Sequence, residues 1–365
     1  MSTNATNNVP STSDDSGAAR VITSDDTAGK DGSELPAPRR HRLLESGLVF
    51  LRVGPAIGLL ILIVILVQLS PAFATTRNIG NLLAQSAVIC VLAIGQLLVI
   101  ATRGIDLSVG STLALGTVTG ALAASAGLPT PIVILVMLFT GAAVGAVNGI
   151  FYVYGRLPHP FIITLATLSV ARGLALWLSD GQPIQGMPDP IRVIGGEILL
   201  GWLPVSTIVV AAIALGALLL TTRMVWGRWI YAVGGNPEAA LRIGIPVGAT
   251  LVSVYVLSGL MAGVGALLTA GRTGAGAPTF GSLAELDAIA AVIIGGASFL
   301  GGRGHIGNAI VGALMIGVIR NGMNLLNVDS FVQPMVIGVV IVLAVEADVI
   351  RNRLEQRFRL MQALS

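Results

Sequence analysis

From Gly47 to Ile350 the chain is a series of apolar stretches, and its single lysine, Lys30, precedes all of them. A helix rises 1.5 Å per residue, so about 20 apolar residues cross the hydrocarbon core of a bilayer. Spans are expected near residues 48–69, 80–101, 107–126, 131–153, 161–179, 204–222, 249–270, 288–302, 305–326 and 331–350. The stretch at 288–302 is short and glycine-rich. The expected fold class is an all-α polytopic membrane protein with about ten transmembrane helices.

The lone lysine also removes one chemistry. A phosphate-binding loop needs Gly-Lys-Ser/Thr, and Lys30 is followed by Asp31. This chain therefore binds no nucleotide by that route. Apolar residues make up 54% of it and charged ones 11%, against about 25% charge in soluble domains. It has 46 glycines, where average usage would give roughly 26. Small residues let membrane helices approach closely, so the excess implies a tightly packed bundle. The net charge of +3 comes from arginines at helix ends rather than on one face, which speaks against nucleic acid. Cys90, the only cysteine, lies inside an apolar run and reads as packing. His41, His159 and His305 are not spaced as metal ligands, and no metal site is expected.

Residues 1–38 are rich in Ser, Thr, Asp and Asn and show no apolar leader segment. They read as a disordered tail. A membrane domain is expected over 39–353 and a short tail over 354–365. Charge sets the direction of the spans. With the N-terminus inside, fourteen arginines fall on inner ends and loops, and only Arg77, Arg192 and Arg272 fall outside. Cytoplasmic loops carry such an excess, so ten spans with both termini cytoplasmic are expected. The longest outer loop, about 180–203, has turn chemistry in QPIQGMPDP. The longest inner loop is 223–247.

An internal echo links GIDLSVGS (104–111), followed by Asn148-Gly149, with ELDAIAA (285–291), followed by Asn321-Gly322. Two four-helix units, about 80–179 and 249–350, would then be inverted copies. Such repeats are a common feature of transporters.

The inner loop contains a compact helix signal. Gly234-Gly235-Asn236-Pro237 breaks the chain; Asn236 suits an N-cap and Pro237 a first turn. Glu238 complements the helix dipole. Ala239, Ala240, Leu241 and Arg242 continue the helix, and Gly244 and Pro246 end it. By itself this is equally an ordinary interfacial helix.

GGNPEAALRIGIPV (234–247) resembles the cytoplasmic coupling loop of ABC-importer permeases. With GIDLSVGS, NGIFYVYGRLPHPFIITLATLSVARGLAL (148–176), ELDAIAAVIIGGASFLGGRG (285–304) and NGMNLLNV (321–328), the region 45–350 resembles the ribose/xylose/galactose class of sugar permeases. Phe299-Leu300 departs from the Leu-Ser pair more frequent in that class. The resemblance implies a permease dimer, a homodimer here, in the bacterial cytoplasmic membrane. It implies a partner ATPase, usually with two fused ATP-binding domains, that holds ATP and Mg, so that no cofactor belongs to this chain. It also implies an extracytoplasmic solute-binding protein. Gly234, Gly235, Asn236, Pro237, Glu238, Ala239, Ala240, Arg242 and Gly244 would couple to the ATPase.

Each remaining polar candidate has two readings. Asp106 and Ser108 cap a helix or line the translocation path. Asn148 and Asn321 bond between helices or line the path. Arg172 and Arg320 lie inside spans, where charge is costly; they pair within the protein or meet sugar hydroxyls. Gln182, Glu285 and Asp287 lie outside, where they shape local structure or contact the binding protein. Among other functions, an ion-coupled carrier needs a carboxylate near the midplane, and Asp106, Glu285, Asp287, Glu346 and Asp348 all fall near span ends. A membrane enzyme needs a nucleophile and base on one face, and none is readable. A permease of the same class for a nucleoside or amino acid stands closest to the sugar reading.

Overall fold

The computed structural model describes the backbone of residues 39–363 and the side chains of 54–350. The tail expected at 1–38 lies outside the described residues. The long helices are α1 (Arg39–Leu69), α2 (Thr76–Ala101), α3 (Val109–Ser125), α4 (Thr130–Tyr154) and α5 (Pro160–Leu178). After a connection holding β1 (Ile184–Gln185), α6 (Asp189–Gly196), β2 (Ile198–Leu199) and β3 (Leu203–Pro204) comes α7 (Val205–Arg223). Then follow α8 (Val225–Gly235), α9 (Pro237–Arg242), α10 (Val247–Thr273), β4 (Ala275–Gly276), α11 (Ala284–Ile294), α12 (Ile306–Leu325) and α13 (Gln333–Ala363). Seven of the described helices are long and apolar enough to cross a bilayer: α2, α4, α5, α7, α10, α12 and the first part of α13. Among the described residues, the apolar segment Gly54–Leu69 of α1 and all of α3 are shorter.

Two sequence expectations change. The span placed at 288–302 is α11, which begins earlier and stops at Ile294. Its 11 residues rise about 16 Å, roughly half the hydrocarbon thickness. Glycines at positive φ, among them Gly296 and Gly301, turn the chain back toward α12. In the outer loop, turn chemistry holds to Pro188, but Pro190 then sits in the first turn of α6. Proline is tolerated there because that N–H has no intrahelical acceptor. Residues 354–363 continue α13 as helix.

Helix α2 is the hub of the packing. It is buried from Ile89 to Ala101 and touches α7, α8, α10, α11 and α12. By contrast α4, α5 and α7 carry large exposed apolar side chains, such as Phe139, Trp177 and Leu215. Those faces suit lipid, where an exposed apolar residue costs nothing.

The packing repeats itself. Helix α10 packs on α4 as α2 packs on α12; α3 contacts α4 and α5 as α11 contacts α12 and α13; α3 meets α10 as α11 meets α2. The two lead helices, α2 and α10, run antiparallel, with Gly95 against Ser258 and Gly265 against Leu92. The quartets α2–α5 and α10–α13 are therefore inverted copies. The closest seam is α4 on α10. A Cβ on Gly259 would lie 2.8 Å from the Gly145 nitrogen, and one on Gly141 would lie 2.7 Å from the Gly263 nitrogen. Only glycine permits backbones so near, which gives small-xxx-small spacing its use in membranes.

Candidate functional site

The 223–247 loop folds as two helices between α7 and α10: α8, which the sequence did not announce, and α9. Asn236 is the N-cap of α9, and its side-chain oxygen accepts from the Ala239 N–H at 3.0 Å. Pro237 occupies the first turn with Glu238 beside it. Ile243 and Gly244, at φ 84°, end the helix. Ala240 is buried with Val233 and Ile245, which anchors one face. The rest is open: Glu238 and Arg242 are exposed, and Leu241 and Ile243 are 66% and 76% exposed. A short, capped helix with a polar and apolar tip is suited to entering a groove on another protein.

The foot of this elbow is a joint of three chain segments. Gly234, at the end of α8, packs against the Ala101 carbonyl at the end of α2; a Cβ there would lie 2.7 Å from the Gly302 nitrogen. Gly302 donates its N–H to that same Ala101 carbonyl at 2.9 Å. Arg103 donates from Nε to the Gly234 carbonyl at 2.6 Å and from a terminal nitrogen to the Gly235 carbonyl. Tyr231 donates to the Gly304 carbonyl at 2.9 Å, and burial pushes its phenol pKa up, which keeps it a neutral donor. Phe299 and Leu300, the departure noted in the sequence, are exposed in this turn.

Three residues past Arg103 begins a buried polar cluster. Asp106 is 0% exposed. Its Oδ1 accepts from the Ser108 N–H (3.0 Å), the Ser108 hydroxyl (2.6 Å) and the Asn148 amide (3.4 Å). Its Oδ2 accepts from Ser258 at 2.8 Å. Asn148 also donates to Ser108 Oγ at 2.8 Å and accepts from Thr167 at 2.6 Å. The Gln96 amide, turned so that its nitrogen meets the Asp106 carbonyl (3.1 Å) and its oxygen the Asp106 N–H (3.2 Å), holds the backbone. Tyr255, fully buried, lies over Gly104 with no hydrogen-bond partner for its hydroxyl among the described residues. The cluster ties the break between α2 and α3 to α4, α5 and α10.

The inverted copy has its own polar contact. Asp287, at the start of α11, pairs with Arg320 on α12 at 2.8 Å. Asn321 exchanges hydrogen bonds with Asn78 at the start of α2, at 2.8 and 2.9 Å. The echo in the sequence thus corresponds to contact: Asp106 meets Asn148, and Asp287 meets the neighbour of Asn321. Arg172 is half-buried and donates to the carbonyls of Pro278 and Phe280, the latter at 2.9 Å. Glu285 is partly buried against Gly110, with Oε2 unpartnered among the described residues. Gln182 is exposed in the turn after α5. Thr167, Ser258, Gln96 and Arg103 were not singled out in the sequence. Isolated hydroxyls in apolar helices carry no pattern, and Arg103 reads as one more positive helix end.

A family model described as "Branched-chain amino acid transport system / permease component" matches residues 78–345. The chain belongs to this permease family. The permease is 42% identical to the ribose import permease protein RbsC of Bacillus subtilis (strain 168), over 82% of this chain and 93% of that one. It is 40% identical to the D-allose transport system permease protein AlsC of Escherichia coli (strain K12), over 81% and 91% of the two chains. It is 36% identical to the xylose transport system permease protein XylH of the same strain, over 76% and 86%. No solved structure matches the permease.

Proposed function

We propose that this permease is the membrane subunit of an ATP-driven importer that carries a monosaccharide across the bacterial cytoplasmic membrane by alternating access. The observation that carries the reading is α9: a capped, exposed helix on a glycine joint, at the end of the bundle where α2 stops and α12 begins. The relatives named for ribose, allose and xylose support a sugar rather than the amino acid of the family description.

In this reading α9 enters a groove on a separate ATPase, and ATP with Mg2+ on that partner supplies the work. Glu238 makes the polar contact, and Leu241 and Ile243 fill apolar hollows. The arginine distribution supports a cytoplasmic α9 and cytoplasmic termini. A solute-binding protein delivers the sugar on the opposite face, near Gln182, Glu285 and the loop around α6. A second copy completes a homodimer. Arg172, Arg320, Asn148, Asn321, Asp106 and Ser108 are bonded within the chain in this conformation, so any that line the path exchange those bonds for sugar hydroxyls during transport.

The test is reconstitution of the permease with its ATPase and binding protein in vesicles supplied with labelled ribose, allose, xylose or leucine. We expect ATP-dependent accumulation of one of the sugars. Glu238→Lys should lower uptake at least about tenfold, within the usual span of coupling free energies, at unchanged membrane levels. Uptake at the parental rate would refute the coupling role, and accumulation of leucine alone would refute the sugar.

A further inference from the structure

Arg103 occupies a position built for glycine. It closes α2 at φ 65°, a left-handed conformation in which a Cβ is crowded and glycine is free. The next residue, Gly104, is a glycine, and so are Gly301 and Gly302 across the joint. An arginine held in such a conformation is an outlier with a local reason. The left-handed turn carries the side chain to the carbonyls of Gly234 and Gly235, the last two residues of α8. The final carbonyls of a helix lack intrahelical partners and form the negative end of its dipole. The guanidinium fork meets two of them at once, from Nε and from a terminal nitrogen. An ammonium offers a point charge rather than a planar fork.

This grip adds a polar side-chain link between two parts that already pack on each other. On one side, Asn236, the residue after Gly235, is the cap of α9. On the other, Asp106 lies three residues along from Arg103 and anchors α4, α5 and α10 through its side chain and its neighbours. Gly301 leaves no room for a Cβ beside the Arg103 Cγ, so the 298–304 turn packs against the stem of the side chain. We infer that Arg103 is a positioning residue: it passes the displacement of α9 to the break between α2 and α3, and its two-carbonyl fork serves coupling rather than folding. The inference rests on α9 being the coupling helix.

The experiment compares the parental permease, Arg103→Gly, Arg103→Lys and Glu238→Lys, each in the complete complex in vesicles. It reads membrane accumulation, thermal melting and sugar moved per ATP hydrolysed. Glycine suits the backbone, so Arg103→Gly should accumulate and melt at or above the parental temperature while moving about tenfold less sugar per ATP. Arg103→Lys, which keeps the charge and loses the fork, should recover part of that ratio. A parental ratio in Arg103→Gly overturns the inference. So does failure of Arg103→Gly to accumulate or a fall in its melting temperature, since either assigns the residue to folding. Glu238→Lys separates the two levels. If it leaves the ratio unchanged, the coupling reading of α9 is wrong. If it lowers the ratio and Arg103→Gly does not, only the role of Arg103 falls.

Discussion

At the scale of single residues, the largest electrostatic commitment is Asp106. Its carboxylate is removed from water and faces only neutral donors among its described hydrogen-bond partners. Breaking such a site costs more than the bonds themselves, because the partners are left unsatisfied in an apolar surrounding. Asp106→Asn removes the charge-accepting oxygen from Ser258 and weakens the three bonds on the other oxygen, and should destabilise the detergent-solubilised permease by about 1–3 kcal/mol, read as a lower melting temperature. Ser258→Ala, which removes one donor, should cost about 1 kcal/mol. A melting temperature for Asp106→Asn equal to the parental one would show that the cluster is not a structural tie. The sequence made Asp106 and Ser108 visible through their place before an apolar run. It did not reveal their partners. Ser258 lies 152 positions away from Asp106, and nothing in a lone serine within LSGLM marks it as a ligand to a distant carboxylate.

At the scale of elements, α9 and the α4–α10 seam were differently legible. The α9 signal is local: cap, proline, acid and terminating glycine all act within a dozen residues, so the helix was readable with its ends. Its companion α8 was not, because VWGRWIYAVGG sets Arg228 among apolar residues, holds Gly227 near its start and carries two glycines at its end. The small-residue excess announced close packing but not which helices meet. That pairing depends on the antiparallel register that brings Gly141 opposite Gly259. Gly259→Val would place methyl groups inside the α4 backbone. Overpacking of this kind costs typically about 1–3 kcal/mol, and we expect Gly259→Val to melt lower and to reach the membrane in smaller amounts. Parental melting would mean that the two helices separate without penalty. The half-length α11 departs from the expected span for a physical reason. Hydropathy runs on through IGGASFLGG, while the backbone turns at glycines whose positive φ the composition does not display.

At the scale of the whole molecule, the inverted quartets place the two polar contacts, Asp106 with Asn148 and Asp287 with Arg320, in corresponding positions of the two copies. Inverted repeats of this kind underlie alternating access in many transporter folds. In the proposed reading the work comes from a separate ATPase. Vesicles containing it without its partners should show no solute accumulation under a proton or sodium gradient, checked with the same labelled sugars. Gradient-driven accumulation would make it a self-sufficient carrier and remove the need for α9 to dock.

The central place of α2 has a consequence for how the protein is made. It is translated before its neighbours α10, α11 and α12, which emerge from the ribosome only after more than a hundred further residues. Until they arrive, a helix destined for a dry protein interior waits among acyl chains, and its glycines and Gln96 wait with it. Assembly therefore ends with late arrivals closing around an early one, and nascent chains cut short before Val247 should hold α2 where lipid-phase crosslinkers can reach it.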